Sequence, residues 1–166
     1  MLDLLRALSL FAATLTTGAM TGVFGIYANA IMPGLRATDD RTFVGAFQSM
    51  DRAIINPAFM FAFLGALVFS GAAAGLYAGE KSVLPWVAAA FVLYLAVVVI
   101  TLAINVPLND ALKAAGDPDQ IADLATVRDR FDEARWVGWN IVRTILSAIA
   151  FACLAWALVE YGRSSA

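Results

Sequence analysis

Long runs of uncharged, mostly apolar residues dominate the sequence. Residues 7–35, 53–79 and 82–109 form runs of 29, 27 and 28 residues without Asp, Glu, Lys or Arg, and each exceeds the ~20 residues that a helix needs to cross a bilayer. A fourth run, residues 144–159, has only 16, so its helix must recruit the preceding turns, which brings Arg143 to the membrane boundary. The pattern predicts four transmembrane helices, at approximately residues 5–31, 55–78, 83–108 and 137–160. The first is expected to be a span rather than a signal peptide, because its apolar part far exceeds a signal core of ~7–15 residues.

The connection after span 1 carries a helix signal of its own. Apolar residues recur there at helical spacing and predict a short amphipathic helix at the membrane interface. Its apolar face is predicted to comprise Phe43, Phe47, Met50 and Ile54. Gln48, Asp51 and Arg52 are expected on the opposite, polar face. Asn56 and Pro57 then supply the cap and the first turn of span 2.

A second helix signal precedes span 4. Asp117, Pro118 and Gln120 have the pattern of a helix start, and we expect a helix from this point to run without a break into span 4. No internal repeat or low-complexity linker divides the chain, so residues 1–166 are interpreted as a single membrane domain. The predicted fold class is all-α: a four-helix transmembrane bundle with a short interfacial helix between spans 1 and 2 and a long helix leading into span 4.

Glycines fall on single faces of two spans. In span 1 the set is Gly18, Gly22 and Gly25, and in span 2 it is Gly71, Gly75 and Gly79. Small residues let membrane helices approach closely, so both faces are interpreted as contact surfaces within the bundle, with homo-oligomerisation as the alternative. Asn29 continues the glycine face of span 1.

Polar side chains concentrate at one end of the predicted bundle. Because successive spans alternate in direction, the following residues gather on one side: Asn29, Asn56, Asn105, Asn109, Asn140 and Arg143. This polar end is the strongest functional signal in the residues. Two structural alternatives stay open. The amides hydrogen-bond to neighbouring helices or cap helix ends, at roughly 0.6–2 kcal/mol each. The long side chain of Arg143 extends so that its charged group lies at the membrane–water interface. For Asn56 the cap is preferred, and Trp139 is interpreted as an interfacial aromatic.

Composition narrows the chemistry. An apolar share of 61% and a mean hydropathy of +0.78 exceed those of soluble domains, and no basic run suits a phosphate backbone, so nucleic acid is not a predicted partner. Histidine is absent and Cys153 is the single cysteine, which removes the usual metal and haem ligands.

Carboxylates border the polar end: Asp110, Asp129, Asp132 and Glu133. One of them could act as a general base, although a solvated face with the nearby arginines is the alternative, and no spacing specifies a metal site.

Basic residues suggest an orientation in the membrane. The polar side has eight, namely Arg36, Arg41, Arg52, Lys113, Arg128, Arg130, Arg135 and Arg143, and the other side has three, namely Arg6, Lys81 and Arg163. By the positive-inside rule the polar end faces the cytoplasm. The expected location is the cell membrane, crossed several times, with the lipid bilayer as the first partner.

Several short motifs, in order, resemble those of a known family. They are residues 25–30 leading into Met32-Pro33-Gly34-Leu35, residues 43–48 followed by Asn56-Pro57, residues 105–110, and Arg135-Trp136 with Trp139-Asn140 and Arg143-Thr144. Nearly the whole chain thus resembles the small four-span membrane proteins grouped with anthrone oxygenases, long catalogued as a domain of unknown function. Asp51 departs from the pattern, since an amide is expected there.

The resemblance implies oxidation of an anthrone-like polycyclic aromatic by molecular oxygen without a cofactor. In that hypothesis hydrogen-bond donors come from Arg143, Asn105, Asn109 and Asn140, with Asn29 also assigned to substrate binding. Trp136 stacks on the flat substrate, and Asp110 or Glu133 is the base. The alternative is a non-enzymatic integral membrane protein, either a subunit or a module that binds a small lipophilic molecule.

Overall fold

The computed structural model describes residues 1–165 and is helical throughout its regular elements, as predicted. Its helices are α1 Leu2–Ile26, α2 Met32–Arg36, α3 Asp40–Ile54, α4 Pro57–Leu76, α5 Leu84–Ile100, α6 Val106–Ala114, α7 Leu124–Phe131 and α8 Glu133–Ser165. Single π-helical turns, Tyr27–Ile31 and Thr101–Asn105, join α1 to α2 and α5 to α6. Span 1 is therefore the continuous helix from α1 to α2, span 2 is α4, span 3 runs from α5 to α6, and span 4 lies in α8.

The four spans form a square bundle with an apolar outside. Span 1 packs against spans 2 and 4, and span 3 packs against the same two. The interior is filled by fully buried residues such as Leu10, Met20 and Leu154. On the outside, side chains such as Phe61 and Val92 remain more than 60% exposed. Helices that are apolar both inside and outside are typical of membrane spans, and the four spans have the length and hydropathy to cross a bilayer.

Both π-helical turns lie at the polar end, and each ends two residues before a proline. Pro33 follows the turn in span 1, and Pro107 follows the turn in span 3. A proline ring clashes with the carbonyl four residues earlier and removes one N–H. A wider turn relieves that clash and keeps the helix continuous. The same wide turns change which side chains point into the bundle beyond them.

The interfacial helix α3 is confirmed, but its buried face differs from the prediction. Phe43 and Phe47 are buried as expected, whereas Gln48 and Asp51, predicted on the polar face, are 2% and 7% exposed. Gln48 Nε2 donates to the carbonyl oxygens of Leu112 at 2.9 Å and Gly116 at 3.0 Å. The prediction was wrong because α3 packs against the end of span 3, whose free carbonyls need buried donors. Asn56 caps span 2 as predicted, accepting from the backbone N–H of Phe59 at 3.0 Å.

Aspartates cap both helices that lie outside the spans. The backbone N–H and the hydroxyl of Thr42 donate to Asp39 at the start of α3. Thr126 donates in the same way to Asp123 at the start of α7. These bonds stabilise the charged carboxylates, with the backbone bond as the largest cause, and lower the pKa of Asp39 and of Asp123.

The helix leading into span 4 starts later than expected. The carboxylate of Asp117 accepts from the N–H of Asp119 in a tight turn, and the helix begins after Asp123 instead. A local turn at Asp117 competes with helix formation there. The expected unbroken helix is also interrupted, because Asp132 takes a left-handed conformation, with φ at 52°, between α7 and α8.

Only some of the predicted glycine contacts form. A Cβ at Gly18 would lie 2.9 Å from Phe151 of span 4, and one at Gly71 would lie 3.1 Å from Phe91 of span 3. Apart from the local backbone, no described heavy atom lies within 4 Å of a Cβ built at Gly22, Gly75 or Gly79, and Gly25 meets only Thr144, at 4.0 Å. The first residue of each glycine series therefore serves the bundle, and homo-oligomerisation through the remaining glycines stays a prediction.

Candidate functional site

A cavity of about 270 Å³ lies at the polar end of the bundle, between the ends of the spans and α3. Its walls are mostly apolar and include the aromatic residues Phe24, Phe47, Phe59, Phe63 and Trp136. Its polar side chains are Tyr27, Asp51, Thr101, Asn105, Asn109, Asn140 and Arg143. An apolar cavity with a few converging polar groups is the usual form of a small-molecule site.

The structure brings together five of the eight residues that the sequence assigned to the site. Asn105, Asn109, Trp136, Asn140 and Arg143 all line the cavity. Four of them are almost inaccessible, with Asn105 and Asn140 1% exposed, Trp136 3% and Arg143 5%. Spans 3 and 4 contribute all five, because Asn105 and Asn109 are four residues apart in one helix and the other three recur at spacings of four and three in the next.

Arg143 is a buried cation without a carboxylate partner. Its Nη2 donates to Oδ1 of Asn140 at 2.9 Å, and its Nη1 donates to Oγ1 of Thr101 at 3.2 Å. The guanidinium carbon lies 4.6 Å from the centre of the Phe24 ring. Among residues 1–165 no carboxylate oxygen lies within 4 Å of its nitrogens, and Nε has no hydrogen-bond partner. The cavity wall thus holds a positive charge that only neutral groups solvate.

The buried asparagines of spans 3 and 4 fix the helices that carry the cavity. Asn140 Nδ2 donates to the carbonyl oxygen of Phe24 at 3.1 Å. Asn105 Nδ2 donates to the carbonyl oxygen of Trp136 at 3.2 Å, while its Oδ1 is buried without a partner. Each amide therefore has a structural bond, and the buried Oδ1 of Asn105 is an acceptor without a partner among residues 1–165.

A chain of polar groups follows the wall on the side of α3. Trp136 Nε1 donates to Oδ1 of Asn109 at 2.7 Å, and Asn109 Nδ2 donates to Oδ1 of Asp51 at 2.7 Å. The other oxygen of Asp51 lies 2.8 Å from Nζ of Lys113, which is also 3.0 Å from Asp110. This chain leads from the buried indole to a half-exposed lysine and an exposed carboxylate.

Asn29 does not join the site. It is exposed and is absent from the cavity wall. The prediction that Asn29 shares a face with Gly25, four residues earlier, assumes an α-helix. Asn29 instead lies in the π-helical turn Tyr27–Ile31. A π turn has more residues per turn than an α-helix, so Asn29 turns away from the bundle interior. Tyr27 faces the cavity instead.

Asp110 and Glu133, the bases suggested by the sequence, also lie outside the cavity wall. The side chain of Asp110 is 61% exposed and pairs with Lys113. Glu133 is held between Arg36, whose Nε lies 2.6 Å away, and Arg128 at 3.4 Å. Both carboxylates serve ion pairs at the aqueous border, because their helices turn them away from the span interiors.

The residues assigned to the site from the sequence leave out three polar residues of the wall, Tyr27, Asp51 and Thr101. Asp51 lies four residues after Phe47 in α3, so the two share a face. That spacing, together with the departure of Asp51 from the expected amide, was the available signal. For Tyr27 no signal existed, because the π turn that directs it inward is not readable from an apolar run.

The cavity opens at the side of the bundle, between the start of span 2 and the end of span 3. Ile55 and Leu102 line it and are nevertheless 59% and 60% exposed. Both are apolar, and they lie beside the outer apolar surface of the spans. This mouth suits a lipophilic molecule that arrives from the surrounding lipid.

Comparison with known protein families identifies the family of the chain. The sequence profile of the anthrone oxygenase family matches residues 43–153, about two thirds of the chain. The matched segment runs from α3 into α8 and contains Asp51, Asn105, Asn109, Trp136, Asn140 and Arg143. No curated protein and no solved structure matches the chain. The chain is a multi-pass membrane protein with four spanning helices and belongs to the anthrone oxygenase family.

Proposed function

We propose that the protein is an oxygenase that converts a flat polycyclic aromatic ketone with an acidic methylene group, such as an anthrone, to the corresponding quinone with molecular oxygen. The observation that carries the proposal is the buried, unpaired guanidinium of Arg143 in an aromatic cavity. On insertion scales the cost of a charged side chain in a spanning helix reaches about 2.5–3.5 kcal/mol at the bilayer centre and is smaller towards the polar end, where Arg143 lies. Such a charge without a counter-ion is expected where a negative charge develops during a reaction.

The reaction develops that charge on the substrate. Loss of one methylene proton leaves an electron pair that spreads over the rings to the ketone oxygen, which becomes an enolate. The enolate transfers one electron to oxygen, and the two radicals combine to a carbon-bound peroxide. Loss of the second methylene proton with cleavage of the O–O bond gives the new carbonyl and water. Overall, one anthrone and one oxygen molecule give one anthraquinone and one water molecule.

Arg143 is proposed to bind the ketone oxygen and to stabilise the enolate. Its guanidinium supplies N–H donors, of which the buried Nε–H has no partner among residues 1–165, and Asn140 and Thr101 hold the group in place. Removal of one such oxyanion donor typically costs about 10²–10³-fold in turnover. The rings of Trp136 and Phe24 give the substrate flat apolar surfaces.

The competing function is a non-enzymatic module that binds a lipophilic molecule. The observation in its favour is that Asn105 and Asn140 both bond to backbone carbonyls of neighbouring helices, as amides that only stabilise a bundle do. In that case Arg143 is part of the same structural network. The two functions differ in what happens when the charge is removed.

The test is oxygen uptake and quinone formation by the full-length protein in liposomes supplied with anthrone. We expect turnover above that of protein-free liposomes, and a loss of at least about hundredfold in Arg143→Met. The control is Arg135→Ala, an exposed arginine of the same helix outside the cavity. Wild-type protein without uptake with any of several anthrones would contradict the proposal.

Stability of the same variants separates a site from a structural network. Arg143→Met removes a costly buried charge and also two hydrogen bonds, each worth about 1.5–3 kcal/mol when one partner is charged, so the terms are of similar size. We therefore expect the unfolding midpoint in detergent to change little while turnover is lost. If unfolding and activity fall together, the structural interpretation is favoured.

A further inference from the structure

Asp51 is the carboxylate that the fold places at the cavity. Of the Asp and Glu residues among positions 1–165, it alone lines the wall, and it is 7% exposed. It comes from α3, the interfacial helix, and not from the spans that carry the other polar groups. The site thus receives its cation from span 4 and its anion from a separate helix.

The carboxylate of Asp51 is held in one orientation. Asn109 donates to Oδ1 at 2.7 Å, and the ammonium of Lys113 lies 2.8 Å from Oδ2. Asn109 is fixed in turn by the indole of Trp136. A carboxylate has about four acceptor positions, so each oxygen keeps a lone pair after these contacts. Lys113 also places a positive charge beside the carboxylate.

Asp51 and Arg143 share a cavity without forming an ion pair. No nitrogen of Arg143 lies within 4 Å of a carboxylate oxygen of residues 1–165, although opposite charges attract strongly in apolar surroundings. An anthrone carries its ketone and its acidic methylene at opposite corners of the central ring. A base at one place in the cavity and an oxyanion donor at another match the methylene and the ketone of such a molecule, respectively.

We propose that Asp51 is the base of the reaction, an inference that rests on the proposed function. The first methylene proton passes to the Asp51 carboxylate, and the electron pair of the C–H bond moves towards the oxygen bound by Arg143. After oxygen has added, Asp51 returns this proton to the outer peroxide oxygen. It then removes the second proton as the O–O bond breaks, and the departing hydroxide takes that proton to form water. Asp51 ends as a carboxylate.

The first step can be measured without oxygen. In deuterated buffer under anaerobic conditions, a base at the cavity exchanges the methylene protons of anthrone, which mass spectrometry detects. We expect the wild-type protein in liposomes to accelerate exchange over protein-free liposomes. Asp51→Asn should lose this acceleration by at least about hundredfold, the usual contribution of a general base, and Asp51→Glu should recover part of it.

Asp110→Asn is the matched control, because it alters the other carboxylate on Lys113 but lies outside the cavity. It should exchange like the wild type. Size-exclusion profiles establish that each variant is folded, and oxygen uptake is measured in parallel. If Asp51→Asn exchanges protons and takes up oxygen at the wild-type rates, Asp51 is not the base, whereas the proposed oxidation still stands. If the wild-type protein accelerates exchange, Asp51→Asn does not, and neither takes up oxygen, the oxidation is overturned and Asp51 is supported as the base.

Discussion

The indole Nε1 of Trp136 lies 2.7 Å from the amide oxygen of Asn109. This contact settles which way the amide faces, because the oxygen accepts from the indole and the nitrogen is left to donate to Asp51. Trp136 therefore contributes a hydrogen bond as well as the flat surface that the sequence suggested.

Trp136→Phe keeps most of the ring surface and removes the donor. We expect a stability loss of about 1 kcal/mol, the usual net worth of a hydrogen bond, and slower turnover because Asn109 can rotate. Denaturant unfolding in mixed micelles and oxygen uptake measure the two effects. Trp139→Phe is the control, because Trp139 is 37% exposed and lies outside the cavity.

A double-mutant cycle tests whether the indole acts through the amide. If it does, Asn109→Ala should cost less in the Trp136→Phe background than in the wild type, with a coupling of about 0.5 kcal/mol or more. Additive effects would show that the two side chains contribute independently.

Gln48 should be important for stability, although the sequence placed it on an exposed face. Gln48→Leu leaves the carbonyls of Leu112 and Gly116 without their donor, and the unsatisfied buried carbonyl of Leu112 alone costs about 1–3 kcal/mol. The expected result is a clear fall in the unfolding midpoint in detergent. Ser49→Ala, at the exposed neighbouring position, should leave the midpoint unchanged, and equal midpoints for both variants would refute the tie between α3 and span 3.

The opening of the cavity at the side of the bundle predicts that a bulky residue there slows the entry of substrate. Leu102→Trp places a larger ring at the opening, and kcat/KM for anthrone should fall roughly tenfold, equivalent to about 1.4 kcal/mol, with no loss of stability. Val99→Trp is matched to it, since Val99 is 55% exposed on the same span but does not line the cavity. Equal kinetics in the two variants would show that substrate enters elsewhere.

Orientation is open to a labelling experiment, because Cys153 is the single cysteine. In a Cys153→Ser background, a cysteine placed at Asp119 should resist a membrane-impermeant thiol reagent applied to intact cells. A cysteine at Gly79, on the opposite side of the bundle, should react. The reverse pattern would place the polar end outside the cell and contradict the charge bias.

Acid should weaken the start of α3 through its cap. The pKa of Asp39 is lowered in the folded protein by the N–H and hydroxyl of Thr42, so the unfolded chain binds more protons at low pH. The stabilisation is present above the unfolded pKa of about 3.9 and is lost as the pH falls through the folded value. Asp39→Asn keeps a capping oxygen that does not titrate. Its melting temperature should therefore fall less than that of the wild type between about pH 5 and pH 3.

The sequence was most informative where helical periodicity continues undisturbed. Trp136 with Asn140 and Arg143 reached the cavity as their spacing predicted, and so did Asn105 and Asn109, which follow from the point where the π turn of span 3 ends. The sequence was least informative at the π turn of span 1, where Asn29 was expected inside. A single extra residue per turn cannot be read from an apolar run, although a proline two residues beyond is a usable hint.

It was also hard to predict which face of a helix is buried where the helix packs against another polar segment. Gln48 was expected to face water because amides usually do. Its true environment is the end of span 3, where the carbonyls of Leu112 and Gly116 accept from its amide, a contact that only the fold reveals. Asp51 was misplaced for the same reason, and the base was sought among more exposed carboxylates.

The mouth bounded by Ile55 and Leu102 has a consequence for how the protein is measured. A planar hydrocarbon-like substrate and molecular oxygen both dissolve better in a bilayer than in water, so the relevant concentrations are those within the lipid. On the proposed reaction, diluting the same protein and substrate into more lipid should slow turnover even at constant total volume. Apparent Michaelis constants should then be expressed as a mole fraction of the membrane.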